Sequence, residues 1–244
     1  MALAFIAPGQ GAQFTGMGLE LSKAYPQSRL VYEEVDDALG EKLSDLIWHG
    51  SIDDLTLTEN AQPALMATTL AAFRALQSEG LNAGDAKFVA GHSLGEYTSL
   101  TALESVSLTD AAKLLKIRGR AMQDSFPSGK GAMAAILGLD INDVKEIINT
   151  SKTKNVCQIA NDNAPGQIVI SGETSSVDHI IDMLKEKGAK KAIKLPVSAP
   201  FHCDLMDNAK LVMKNELENI NFTKPNIPIV QNTTVNLSLI HISE

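Results

Sequence analysis

Cysteine is nearly absent from this 244-residue chain: Cys157 and Cys203 are the only two, and they lie in separate segments. That is too few for a disulfide framework at this length, and it fits a reducing compartment. Basic charge is also short. The chain has 21 Lys and Arg against 29 Asp and Glu, a net charge of −8, and no basic run is interleaved with aromatics. A phosphate-backbone binder advertises a basic face, so no nucleic-acid partner is expected. Long apolar runs are missing too. The opening Leu3-Ala4-Phe5-Ile6-Ala7 has no basic lead-in, is shorter than a signal-peptide core and runs into Pro8-Gly9. No later stretch approaches the roughly 20 residues of a membrane span, so a cytoplasmic protein with no membrane partner is expected. Repeats and low-complexity tracts are absent, and no metal site is read. With 44% hydrophobic and 20% charged residues, the composition is that of a globular protein with one sizeable core, or a core with a smaller lobe.

Within that frame the pentapeptide Gly91-His92-Ser93-Leu94-Gly95 is the most informative stretch. Residues 86–90 form a short apolar strand before it, and residues 96–103 can wind as a helix after it. Ser93 then sits at a strand-to-helix turn that flanking glycines allow to be sharp, with its hydroxyl at a helix N-terminus where N–H groups can hold an oxyanion. A plain Gly-Ser connector would share the pentapeptide, but the strand and helix around it favour a nucleophile elbow.

Upstream, residues 3–7 predict a strand that breaks into Pro8-Gly9-Gln10-Gly11-Ala12-Gln13, a loop whose glycines let backbone approach a ligand or simply turn. No Gly-Lys-Ser/Thr follows, which argues against a phosphate loop. Residues 58–63 read as a helix start with Pro63 in the first turn, followed by an apolar stripe at Met66, Leu70 and Phe73. Residues 133–196 change pattern: strand 133–137, helix 141–149, strands 156–161 and 167–171, helix 175–187 and strand 191–196. This β-α-β-β-α-β order predicts a ferredoxin-like small domain over 128–196, inserted into a large α/β domain formed by 1–127 and 197–244.

A serine nucleophile needs a base, and the histidines are His49, His92, His179, His202 and His241. His49 ends a helix, His179 lies in a helix among polar neighbours, His92 points away by the geometry of the turn, and His241 falls in an atypical tail. By elimination His202, just past the return from the small lobe, is the best base. Neighbouring Cys203 has no elbow around it and is read as packing. Arg118 lies in a helix opened by Ser107-Leu108-Thr109-Asp110, a capping-box-like start. Its helical neighbours Ala111, Leu114, Leu115, Ala121 and Met122 are apolar, whereas Lys113, Lys116 and Arg120 fall on the far side. Arg118 therefore reads as the lone charge on a buried stripe. It must be paired there, by an internal carboxylate or by a substrate carboxylate held bidentately.

Six motifs occur in order: Pro8-Gly9-Gln10-Gly11-Ala12-Gln13, Gln62-Pro63-Ala64, Gly91-His92-Ser93-Leu94-Gly95-Glu96-Tyr97, Arg118-Gly119-Arg120-Ala121-Met122-Gln123, Asn161-Asp162-Asn163-Ala164-Pro165-Gly166-Gln167 and Ser198-Ala199-Pro200-Phe201-His202. Together, from residue 3 to about 235, they resemble the malonyl-CoA:acyl carrier protein transacylases of type II fatty-acid synthesis. That resemblance implies an α/β fold, its large domain α/β-hydrolase-like. It also implies a ping-pong acyltransferase in which Ser93 is malonylated with His202 as base. The main-chain N–H groups of Gln10 and Leu94 would form the oxyanion hole, Arg118 would grip the malonyl carboxylate with Gln62 in the substrate site, and Phe201 would accompany a preference for malonyl over methylmalonyl. Malonyl-CoA and acyl carrier protein are the implied partners, with no cofactor and a monomeric enzyme. Lys187, Lys190, Lys191 and Lys194 could face an acidic carrier or form a solvated face. The resemblance stops before residues 237–244, which look like a translated sequencing adapter, so a C-terminally truncated chain is expected. It would lack the carbonyl that orients the histidine in that family. Two other classes share parts of this pattern. An α/β-hydrolase thioesterase or esterase would order its triad Ser, Asp/Glu, His and would not need the buried arginine. A non-catalytic carrier-docking module would not need Ser93, His202 and Arg118.

Overall fold

The computed structural model describes residues 3–197 and 199–238; Ser198 of the last motif and His241 lie outside them. Along the chain the elements are β1 (Leu3–Ala7), α1 (Leu19–Ala24), α2 (Pro26–Leu39), α3 (Leu43–His49), α4 (Ile52–Thr56), α5 (Thr58–Ser78), β2 (Ala86–Gly91), α6 (Leu94–Ala102) and α7 (Leu108–Asp124). Then come β3 (Gly131–Leu137), α8 (Ile141–Thr150), β4 (Cys157–Ala164), β5 (Gln167–Glu173), α9 (Thr174–Glu186) and β6 (Lys191–Lys194), followed by α10 (Asp207–Leu217), β7 (Ile229–Val230) and β8 (Leu237–Ser238). This is a mixed α/β chain. It divides into two compact units, Met1–Arg120 with Val212–Glu244, and Ala121–Leu211. The second unit extends beyond the 128–196 span expected of the smaller lobe on both sides.

In the first unit the sheet runs β1-β2-β7-β8, with β1, β2 and β7 parallel and β8 antiparallel to β7. Parallel neighbours need long crossovers, and helices supply them, so this short sheet is surrounded by helical mass. The core joins Tyr32 and Ile47 to Met66 and Leu70 of α5, Val89 of β2, Leu94 and Leu100 of α6, and Leu114 and Leu115 of α7. Burying each such aliphatic side chain contributes about 1.5–3 kcal/mol. The Met66, Leu70, Phe73 stripe is buried as its spacing predicts. Pro63 departs from expectation. Helix α5 begins at Thr58, so Pro63 lies in the second turn and not the first.

The second unit has the expected β-α-β-β-α-β order of elements, in an antiparallel sheet ordered β4-β5-β3-β6. Alternation sets its buried face: Ala134 and Ile136 of β3 and Ile168 and Ile170 of β5 join Val144 and Ile147 of α8 and Val177, Ile180 and Leu184 of α9 in one core.

Candidate active site

The Ser93 turn is held by its neighbours. His92 N–H donates to Ala7 O at 3.1 Å, Gly95 N–H to His92 O at 2.9 Å and Glu96 N–H to Ser93 O at 3.0 Å. Ser93 adopts φ 53°, ψ −111°, a conformation that costs a residue with a Cβ about 1–3 kcal/mol and persists only where the surroundings over-determine it. The flanking glycines have steric causes. A Cβ on Gly91 would lie 1.9 Å from Gly95 C and O, and one on Gly95 would lie 2.6 Å from Ala7 O. Ser93 occupies the N-cap of α6, but its hydroxyl makes no capping hydrogen bond. The hydroxyl is therefore not spent on its own helix, and the N–H of Leu94 belongs to the first helical turn beside it.

Arg118 reaches this hydroxyl from α7. That helix is capped as its sequence predicts, Ser107 Oγ accepting from Asp110 N–H at 3.0 Å and donating to the Asp110 carboxylate at 2.6 Å. Arg118 is 6% exposed. Its Nη2 donates to Ser93 Oγ at 3.2 Å and its Nη1 to Oε1 of buried Gln62 at 2.9 Å, while its guanidinium lies 5.8 Å from the centre of the Tyr97 ring. A fixed cation thus stands beside the Ser93 hydroxyl.

One expectation about this helix is corrected. Arg118 is not the lone buried charge, because Lys116 is 8% exposed, with Nζ donating to Glu41 Oε1 at 2.6 Å and Asn60 Oδ1 at 2.9 Å. The cause is the close approach of α7 to the start of α5. A Cβ on Gly119 would fall 2.5 Å from the Glu59 Cα, and at that separation Lys116 is covered as well as Arg118. Arg120 Nε meets Glu59 Oε2 at 2.6 Å, and this guanidinium holds the Glu59 carboxyl below the usual carboxylate range.

The loop after β1 lies against the elbow, since a Cβ on Gly9 would fall 2.5 Å from His92 Nδ1. The Gln10 side chain donates to Thr58 Oγ1 at 3.3 Å. Asn232 was not anticipated. Its Oδ1 accepts the Ser93 N–H at 2.9 Å, its Nδ2 donates to Gly91 O at 2.9 Å and to the Glu96 carboxylate, and its own N–H donates to Glu96 Oε2 at 3.0 Å. A polar pair after an apolar strand, Gln231-Asn232, is the only local signal, and nothing in it points 139 residues back to Ser93.

Ser93, Leu94, Arg118, Gln62 and Gln10 all belong to the first unit; Phe201 and His202 belong to the second. There Phe201 is buried and His202 adopts φ 59°, a left-handed conformation uncommon without glycine. Its turn is pinned on both sides. A Cβ on Gly131 would strike Pro200 Cδ at 2.3 Å, and Gln158 accepts the Asp204 N–H at 2.7 Å while donating to its carboxylate at 2.6 Å. Cys203 donates to Pro200 O at 3.1 Å, and burial pushes its thiol up; burial drives Cys157 to about 12. Such thiols are poor nucleophiles. His49 and His179 are exposed, the former 2.9 Å from Asp45. Among the described residues no group of three or more His, Cys, Asp or Glu could hold a metal, and no helix is long and apolar enough to cross a membrane.

Known proteins carry the same pattern. A family model described as an acyl transferase domain matches residues 4–242, past the limit near 235 read from the sequence. The malonyl CoA-acyl carrier protein transacylase of Bacillus subtilis is 42% identical over 236 residues, which is 96% of this chain and 74% of that protein. The crystal structure of an acyl-carrier-protein-S-malonyltransferase from Bartonella henselae matches with TM-score 0.95 and 52% identity, over 98% of this chain and 77% of that one. A type II PKS acyl-carrier protein in complex with its malonyl-transacylase matches with TM-score 0.94 and 37% identity, over 98% of this chain and 77% of that one. With its elbow serine, buried arginine and these relatives, the chain belongs to the acyl transferase domain family, among its malonyl CoA-acyl carrier protein transacylases.

Proposed function

We propose that this chain moves a malonyl group from malonyl-CoA to the phosphopantetheine thiol of an acyl carrier protein through an acyl-serine intermediate. The observation that carries the reading is the Arg118 guanidinium donating to both Ser93 Oγ and Gln62. A rigid, buried cation beside a serine nucleophile suits an acyl group that ends in a carboxylate. Ser93 Oγ attacks the thioester carbonyl as His202 takes its proton. The tetrahedral oxyanion is held by the N–H groups of Gln10 and Leu94, each donor worth about 3 kcal/mol in comparable sites. Collapse expels CoA thiolate, which takes the proton from His202. The carrier's thiol then attacks the malonyl ester, passing its proton to His202, and Ser93 leaves with that proton. Arg118 and Gln62 hold the malonyl carboxylate throughout, and Phe201 narrows the site against a methyl branch.

In this reading the large domain, 1–127 with 197–244, is α/β-hydrolase-like and carries the nucleophile. The 128–196 lobe is a ferredoxin-like insertion that carries the approach to His202. The strand order β4-β5-β3-β6 supports that assignment. The enzyme works in the cytoplasm as a monomer, needs no cofactor, and has no nucleic-acid or membrane partner. Incubation with radiolabelled malonyl-CoA tests the reaction class. Label on protein that moves to acyl carrier protein is expected, whereas free malonate as the main product would make the protein a hydrolase.

A further inference from the structure

The elbow carries a polar clamp that the reaction scheme above does not use. Strand β7 pairs with β2 through Val89 with Ile229 and Ala90 with Val230, and this brings Asn232, two residues past β7, against the strained turn. All three functions of its amide are occupied in one orientation: Oδ1 accepts the Ser93 N–H, and Nδ2 donates to Gly91 O and to the Glu96 carboxylate. The flipped amide would set donor against donor at Ser93 and acceptor against acceptor at Gly91 and Glu96, so the network fixes the orientation. Glu96 is 1% exposed. Its carboxylate accepts from both nitrogens of Asn232, and a buried carboxylate requires such donors.

We propose that Asn232 is a positioning residue that holds the Ser93 elbow in its reactive conformation, and that buried Glu96 acts through it. The clamp fastens the Ser93 N–H on one side and the Gly91 carbonyl on the other, around a residue held at φ 53°, ψ −111°. The ψ of Ser93 sets the plane of the following peptide, whose N–H is that of Leu94. Relaxing the clamp therefore displaces the nucleophilic Oγ and the Leu94 N–H together, and a displacement of about 1 Å costs about 100-fold in rate. The hydrogen bonds of Asn232 go to Ser93, Gly91 and Glu96, so binding of substrate should be spared.

The test uses the full chain and two probes, because the inference rests on the proposed transferase reading. Malonyl-CoA reports acylation of Ser93, and a fluorophosphonate reports the reactivity of an elbow serine without needing the malonyl pocket. With both, Asn232→Ala and Glu96→Ala should lower the maximal rate of Ser93 modification about 30–100-fold, with half-saturating malonyl-CoA within about 2-fold of wild type. Glu96→Gln keeps a carbonyl acceptor for Asn232 and should stay within about 5-fold. Asn232→Asp is isosteric but sets a carboxylate against Glu96 and the Gly91 carbonyl, so it should react as slowly as Asn232→Ala. Adding Glu96→Gln to Asn232→Asp rebuilds an amide–carboxylate pair and should recover at least about 5-fold. If the alanine variants do not fold, the Asn232→Asp pair of measurements decides. Alanine variants within about 3-fold of wild type, or no recovery in the double variant, would overturn the proposal. A wild type that reacts at Ser93 with the fluorophosphonate but not with malonyl-CoA would instead sink the transferase reading, leaving the clamp to be judged on the fluorophosphonate rates.

Discussion

The two units of this chain bury different things. In the first, the buried set includes Gln62, Glu96, Lys116 and Arg118, and the residues that hold them come from distant points of the chain: Gln62 from α5, Asn232 from beyond β7 and Glu41 from just past α2. In the second, Ser171 and Ser176 are the only comparably buried polar side chains among the described residues; β3 and β5 pair over seven consecutive positions, and the core is the apolar face of α8 and α9. A regular, apolar core can be assembled from local patterns. Buried charge cannot, because each group costs several kcal/mol unless a particular partner meets it. The strain follows the same division only in part: Ser93 in the first unit and His202 in the second both sit in left-handed backbone without being glycine. Both residues are half-buried.

Replacing Arg118 would break this contrast most severely. Arg118→Ala removes the cation beside Ser93 Oγ; under the proposed function it leaves a malonyl carboxylate unpaired, at a cost of about 3–5 kcal/mol by analogy with broken buried pairs. Acetyl-CoA has no carboxylate to strand. The ratio of malonyl to acetyl kcat/KM should fall by orders of magnitude, with acetyl transfer preserved or improved. An equal fall for both thioesters would make Arg118 a structural cation like Lys116.

A smaller effect is expected in the second unit. Lys187 is 3.6 Å from Glu146 and Lys194 is 2.6 Å from Asp178, so half of the predicted lysine cluster is already engaged with carboxylates. Lys190 and Lys191 are exposed. Charge reversal at these two should slow transfer to the carrier, more so at low salt, while sparing self-acylation by malonyl-CoA. Stopped-flow measurement of the two half-reactions checks this, and equal loss in both would indicate damage to the unit itself.

Thiol chemistry should have the smallest effect. Cys157 is driven to about 12 and Cys203 is also raised, each by burial. Near pH 8 both remain protonated, so iodoacetamide should modify neither on the timescale of an assay and should leave transfer unchanged. Rapid alkylation of Cys203 with loss of activity would reopen a role for that thiol.

How much of this was legible in the sequence follows the same contrast. The strands and helices of the second unit fall within a few residues of where periodicity puts them, because alternation at Ala134 and Ile136 and the helical repeat at Val177, Ile180 and Leu184 are local signals. The Ser93 elbow was legible because its glycines answer to sterics within the pentapeptide and the adjoining strand. Pro63 lies about a turn deeper in α5 than expected, because several residues ahead of it can start the helix. Lys116 looked solvent-facing because a helical wheel knows nothing of the backbone that Gly119 admits. Asn232 was invisible because its partner lies 139 residues away and its side chain resembles any polar strand terminus.

The most direct test of the central claim is the site of acylation. After brief exposure to malonyl-CoA and rapid acid quench, peptide mapping by mass spectrometry should find malonate on Ser93 alone, should find none in Ser93→Ala, and should see it vanish when acyl carrier protein is added before the quench. Malonate on Cys203 or any other residue, or labelling that survives in Ser93→Ala, would contradict it.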